Sequence, residues 1–108
     1  MNLRDIENSL VLLDEQVQGL EVGYETRDLS AVEGRTLRVS RVVQQLRELS
    51  KSDTHMAQSF ESPLWLISNS LNDLATFGAV PSPQWDDIGA VISFISTGRD
   101  ILREAFAA

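Results

Sequence analysis

The sequence predicts an all-α protein, a compact four-helix bundle built on an antiparallel hairpin of its first two helices. Apolar residues recur at helical spacing through most of the 108 residues, and several segments begin with helix-capping residues. Neither the period-two alternation of strands nor a hairpin turn dipeptide occurs. A chain of this length is ordinarily one domain, so residues 1–108 are expected to form a single helical bundle.

The first helix is predicted from residue 3 to the neighbourhood of Tyr24 or Arg27. Its apolar residues follow a 3-4-3-4-3-4 spacing, which places them on one stripe that needs a partner helix. Gly19 and Gly23 each cost up to about 1 kcal/mol relative to alanine in a helix interior, so a break near Gly23 is the alternative. The stripe comprises Leu3, Ile6, Leu10, Leu13, Val17, Leu20 and Tyr24.

The second helix is predicted from about Val32 to Leu49, because Ser30 and Glu33 form a capping-box pattern at its start. Residues 1–33 hold eight acids and two arginines, and residues 34–51 hold five basic residues and one acid. We expect the basic second helix to lie antiparallel against the acidic first helix. Its apolar stripe comprises Val32, Val39, Val42, Val43, Leu46 and Leu49.

A polar connection is predicted from Ser50 to Ser62, where only Met56 and Phe60 are apolar. A short helical turn over residues 53–59 is the alternative. Low hydrophobicity predicts that this is the most mobile part of the domain.

The third and fourth helices are each predicted to begin at a Ser-Pro pair, with serine as N-cap and proline as first helical residue. The third runs from Ser62-Pro63 to about Phe77, with Gly78 as its stop, and residues 79–83 form a turn. The fourth runs from Pro83 to Phe106. Acids in its first turn (Asp86, Asp87) and arginines towards its end (Arg99, Arg103) suit the helix dipole. The two inner stripes comprise Leu64, Ile67, Leu71, Leu74 and Ala75, and Ile88, Val91, Ile92, Ile95, Leu102 and Phe106.

Composition excludes several classes of protein. The chain is 43% hydrophobic and 23% charged, which is typical of a globular domain, and it has no cysteine and one histidine, which argues against disulfides and zinc. A net charge of −7 argues against direct nucleic-acid binding. No signal pattern or long apolar run occurs, so we expect a cytoplasmic protein without membrane contact, metal or cofactor.

An acidic row follows the first helix beside its apolar stripe. Its members recur mostly every seven residues, the spacing at which charges select a partner in coiled coils. The row is either a solvated face, paired in part with Arg35, Arg38 and Arg41, or a docking face for a basic protein surface. It comprises Glu7, Asp14, Glu21, Glu25 and Asp28.

A glycine face lies roughly opposite the apolar stripe of the first helix. Glycines four residues apart leave a smooth groove where another helix can approach closely. The face either packs on the third or fourth helix of the same chain, or binds a partner helix, with a homodimer as the concrete case. It comprises Leu12, Gly19 and Gly23, with Val11 and Val22 beside it.

Three further residues are candidates for function. Trp65 and Trp85 follow the two Ser-Pro pairs, and each is either a partner-binding anchor or a cover for the core edge. His55 has no nucleophile or orienting carboxylate at a recognisable spacing, so we expect a solvent-exposed loop histidine.

The expected function is therefore stoichiometric protein binding. A small acidic module of the inhibitor, immunity, chaperone or adaptor type would dock through the first helix on a partner with a basic surface. The alternative is an obligate homo-oligomeric component of a phage or secretion machine that self-associates through the same helix. An enzyme is not expected, since no paired catalytic groups, Glu-x-x-His pairs or glycine-rich phosphate loops occur.

Overall fold

The computed structural model describes residues 3–78 and 82–108, which form four helices and no strand. Helix α1 spans Leu3–Glu25, α2 Leu29–Ser50, α3 Thr54–Gly78 and α4 Trp85–Ala107. Each helix packs on the next along the chain, and α4 also packs on α1, so the four surround one core. The bundle measures 44 × 19 × 19 Å. The predicted all-α class and four-helix bundle are confirmed.

The core consists of the apolar stripes that the spacing predicted. Most of their members are buried in a single cluster. Two predicted members are exposed: Leu3, which begins α1, and Ala75 on α3. Tyr24, Leu49 and Phe106 pack at the margin of the core. One apolar face per helix is thus removed from water, which is the main source of stability for a bundle.

Helix α1 continues through Gly23, so the break considered there does not occur. Gly23 is buried against α2, where a Cβ atom would lie 3.0 Å from Val32 Cγ2. Two residues beyond Glu25, the last residue of α1, Arg27 adopts a left-handed conformation with φ 54°. The amide of Asp28 donates to the carbonyl of Gly23 at 2.9 Å, as in a Schellman end.

The predicted capping box of α2 is wrong. Asp28, rather than Ser30, is the N-cap, and its carboxylate accepts a hydrogen bond from the amide of Ala31 at 3.1 Å. The three-residue connection between the helices leaves the aspartate in the extended conformation that an N-cap needs. The helix therefore begins at Leu29, three residues before the predicted start.

The predicted connection over residues 50–62 is also wrong in most of its length. Helix α3 begins at Thr54, after Asp53, whose carboxylate accepts from the amide of Met56 at 2.9 Å. Pro63 lies inside the helix and Phe60 is fully buried. Burial of these two apolar side chains offsets the helical hydrogen bond that proline cannot donate.

The start of α4 differs from the prediction by two residues. The predicted turn falls partly on residues 79–81, which lie outside the described residues. Gln84 is the N-cap and makes no side-chain capping bond, so the predicted cap at Ser82 and first helical residue at Pro83 are wrong. Acids do occupy the first turn as predicted. The last turn contains no basic residue, however, because Arg99 and Arg103 lie before it.

The order of contacts between α1 and α2 is the one expected for an antiparallel pair. Gly23, near the end of α1, lies against Val32, near the start of α2. Further back along α1, Gln16 accepts a hydrogen bond from Arg35. Leu12 shares a pocket with Val42, further along α2.

Candidate interaction surfaces

The acidic row is held by α4 rather than by the arginines of α2. Arg99 Nε lies 3.4 Å from Asp14 Oδ1, and Arg103 Nη1 lies 3.3 Å from Asp14 Oδ2. Ser96 donates a hydrogen bond to Glu21 Oε1 at 2.8 Å. The middle of the row therefore fastens α1 to α4, and the arginines near the end of α4 do this instead of facing the helix dipole.

The other three acids of the row have separate environments. Asp28 is the N-cap of α2, so its carboxylate is already bound within the fold. Glu7 and Glu25 are exposed, and neither makes a hydrogen bond or ion pair with any residue in 3–78 or 82–108. Only these two glutamates of the predicted docking row keep a free carboxylate.

The arginines of α2 do not neutralise the acidic row. Arg35 Nη1 donates to Gln16 Oε1 at 2.9 Å. Arg38 and Arg41 are exposed and form no ion pair within the described part of the chain. The partner of Arg35 is therefore Gln16, a nearly buried residue that the sequence patterns did not single out.

The glycine face is covered by α2. A Cβ atom on Gly19 would lie 2.5 Å from Arg35 Nε, because the arginine side chain runs across the space that glycine leaves. Gly23 is buried against Val32 and Ala31 in the same way. The expectation that α3 or α4 fills this face named the wrong helix, and the two glycines offer no open groove to a second chain.

The outward side of α1 nevertheless presents apolar surface. Val11 and Val22 are 53% and 56% exposed. No basic residue occurs between Asp5 and Thr26, so the charged residues of α1 itself around these valines are all acids. Together they form the outer row of α1, comprising Glu7, Val11, Gln18, Val22 and Glu25, all exposed.

The two tryptophans occupy different environments. Trp65 is 63% exposed on α3 and borders a depression of about 300 Å³ with Arg47, Lys51 and Glu61. Trp85 is partly buried and packs on Tyr24, with ring centroids 6.3 Å apart. Thus Trp85 covers the core edge, whereas Trp65 is open to a partner.

An apolar cavity of about 320 Å³ between α2 and α3 was not foreseen from the sequence. Leu29, Val32 and Leu74 line it, and Leu37, which is exposed, stands at its edge. Leu37 falls outside the predicted apolar stripe of α2. Its position in the sequence could therefore have predicted an apolar side chain on the surface.

The structure adds little that resembles a chemical site. His55 is exposed in the first turn of α3 rather than in a loop. Among the described residues no cluster of histidine and carboxylate side chains could hold a metal ion. None of the described helices is long and apolar enough to cross a membrane.

Comparison with known proteins gives no relative: no protein-family model, no curated protein and no solved structure matches this chain.

Proposed function

We propose that this protein is a small acidic protein-binding module that acts stoichiometrically on a protein partner, as inhibitors and chaperone-type adaptors do. It docks through the outer row of α1 onto a partner with a basic surface. The mode of action is binding without turnover, and no cofactor takes part.

The proposal rests on the outer row of α1, where two exposed valines share one side of the helix with two glutamates that have no ion partner. Val11 and Val22 lie on one side of the helix, and each exposes more than half of its surface. Glu7 and Glu25, towards the two ends of the same row, have carboxylates without an internal partner. Apolar contacts would supply affinity, and the carboxylates would supply orientation and association rate.

Self-association through the glycine face remains the less favoured alternative. Its basis was a free groove at Gly19 and Gly23, and α2 occupies that groove. An obligate oligomer of the structural type therefore has no support from those two residues.

The test is capture of the partner by a tagged protein, identification by mass spectrometry, and calorimetric titration of the purified pair. Substitution of Glu7→Lys with Glu25→Lys is expected to weaken the dissociation constant at least about tenfold, because like charges then face each other. The helical circular dichroism should be unchanged, since neither glutamate makes a hydrogen bond or ion pair with another described residue.

A matched control separates the surface from the net charge. Glu33→Lys with Asp73→Lys also replaces two exposed acids, but on α2 and α3. The control should bind like the wild type. Equal loss in both variants, or full binding by the Glu7/Glu25 variant, would contradict docking through α1.

A further inference from the structure

A second surface of the bundle lies on the side shared by α1 and α2. Leu12 is 39% exposed there and lines a shallow pocket of about 160 Å³. Arg38 and Arg41 form one wall of this pocket and have no ion partner in the residues that the structure describes. The full lining comprises Leu12, Gln16, Arg38, Arg41, Val42 and Gln45.

The same side of α1 carries a free negative charge. At about 100° per residue, Glu15 points about 60° from the direction of Leu12. It is exposed and likewise makes no ion pair with any residue in 3–78 or 82–108. Leu12, three residues before Glu15, lines one pocket with Arg38 and Arg41, which places Glu15 within about one helical turn of the exposed arginines along the bundle.

The α1/α2 face is therefore negative along one helix, positive along the other and apolar between them. A two-fold axis parallel to the helices, lying in this face, would place α1 of one copy over α2 of another at the same level. Glu15 of each copy would then meet Arg38 and Arg41 of the other, and Leu12 would meet Leu12 beside the axis. Such an interface is isologous, since the same patch serves both copies.

We propose that two copies of this chain associate through the α1/α2 face, with Glu15 of each copy paired to Arg38 and Arg41 of the other around Leu12. The complementary charges within a single molecule favour a second copy over other occupants. Two free arginines on a chain of net charge −7 are too few for the phosphate contacts of a nucleic acid.

The dimer does not depend on the proposed function. Glu7 and Glu25 point about 140° away from Leu12 and stay outside the interface, whereas Val22 of the outer row lies on nearly the same side of α1 as Glu15, about 20° from it. Substitutions at positions 7 and 25 therefore test partner binding, and substitutions at positions 15, 38 and 41 test the dimer. Loss of partner binding and loss of the dimer can therefore be measured separately.

Sedimentation velocity over a range of concentrations tests the inference without any partner. The wild type should show a monomer–dimer equilibrium. Both Glu15→Arg and the pair Arg38→Glu with Arg41→Glu should weaken self-association at least about tenfold, because each sets like charges against each other. Circular dichroism and denaturation of each variant verify that it is folded.

Charge exchange provides the decisive step. An equimolar mixture of the two variants should form a heterodimer, because arginine at position 15 of one faces glutamates at positions 38 and 41 of the other. Asp73→Arg, which makes the same change of charge as Glu15→Arg on another helix, should dimerise like the wild type.

Three results would overturn the inference: a wild type that stays monomeric, a dimer that neither variant weakens, or folded variants that fail to associate when mixed. A monomer that binds an acidic peptide or an oligonucleotide through Arg38 and Arg41 would likewise assign this face to a different occupant.

Discussion

At the scale of single residues, the most informative contact is that of Arg35 with Gly19. Glycine lacks a Cβ atom, so the arginine side chain crosses α1 at close range and reaches Gln16. A glycine that suggests a groove for a foreign helix is thus used by a long side chain of the next helix. The aliphatic stem of arginine covers the helix surface, while its guanidinium meets an amide oxygen.

Two helical glycines should respond to alanine in opposite directions. A Cβ atom at Gly98 would lie 2.6 Å from Ile67 Cγ1 and 3.2 Å from the carbonyl oxygen of Pro63, so Gly98→Ala should lower the free energy of unfolding by about 1–3 kcal/mol. Gly34 has open space around it, and Gly34→Ala should raise that free energy by about 0.5–1 kcal/mol. Urea denaturation measures both, and an equal effect of the two would contradict the close packing of α3 on α4.

Asp14 should matter more than Glu7, although both belong to the acidic row. Asp14→Asn removes the carboxylate that Arg99 and Arg103 share, and it should lower the free energy of unfolding by about 0.5–1 kcal/mol. The loss should shrink at high salt, because these charges are only partly buried. Glu7→Gln is the control and should leave the denaturation midpoint unchanged. A salt-independent loss would point to packing rather than charge.

At the scale of helices, start positions depend on which side chain reaches the free amides. Two aspartates cap α2 and α3, and the serines that seemed suited to the role lie inside the helices. Ser62 and Pro63 would make a good helix start in isolation. Burial of Phe60 favours an earlier start, because an exposed phenylalanine in a loop would forfeit about 1.5–3 kcal/mol of hydrophobic stabilisation.

The caps give a paired prediction for α3. Asp53→Ala should destabilise the protein by about 0.5–2 kcal/mol, because the amide of Met56 loses its acceptor. Ser62→Ala should be neutral or slightly stabilising, since an exposed serine within a helix has lower propensity than alanine. Thermal denaturation followed by circular dichroism distinguishes the two variants. A greater loss of stability at position 62 than at position 53 would support the helix start predicted from Ser62-Pro63.

At the scale of the whole molecule, the two ends of the bundle share one hydrophobic core. Phe60 lies about 27 Å along α3 from the end of that helix at Gly78, close to where Trp85 and Tyr24 close the opposite end. The buried apolar residues of all four helices form a continuous cluster between these points. Unfolding should therefore be cooperative.

Phe60→Ala tests this cooperativity at a distance. The substitution should lower the free energy of unfolding by about 3–5 kcal/mol, because it leaves a cavity in the core. In a Trp65→Phe background, fluorescence of Trp85 and far-ultraviolet circular dichroism should shift to the same new midpoint. Separate midpoints would mean that the two ends unfold independently and would count against a single domain.

The sequence by itself determined the helical class and most members of the four apolar stripes, because periodic spacing acts within one or two turns. Only the tertiary structure decided the rest. It paired Asp14 of α1 with arginines of α4, and it placed Arg35 over Gly19 and Phe60 in the core. It left Glu7, Val11, Val22 and Glu25 exposed to solvent. A pattern tells which side of a helix is apolar, but the partner of each polar or glycine residue depends on which helices become neighbours and on how closely their backbones approach.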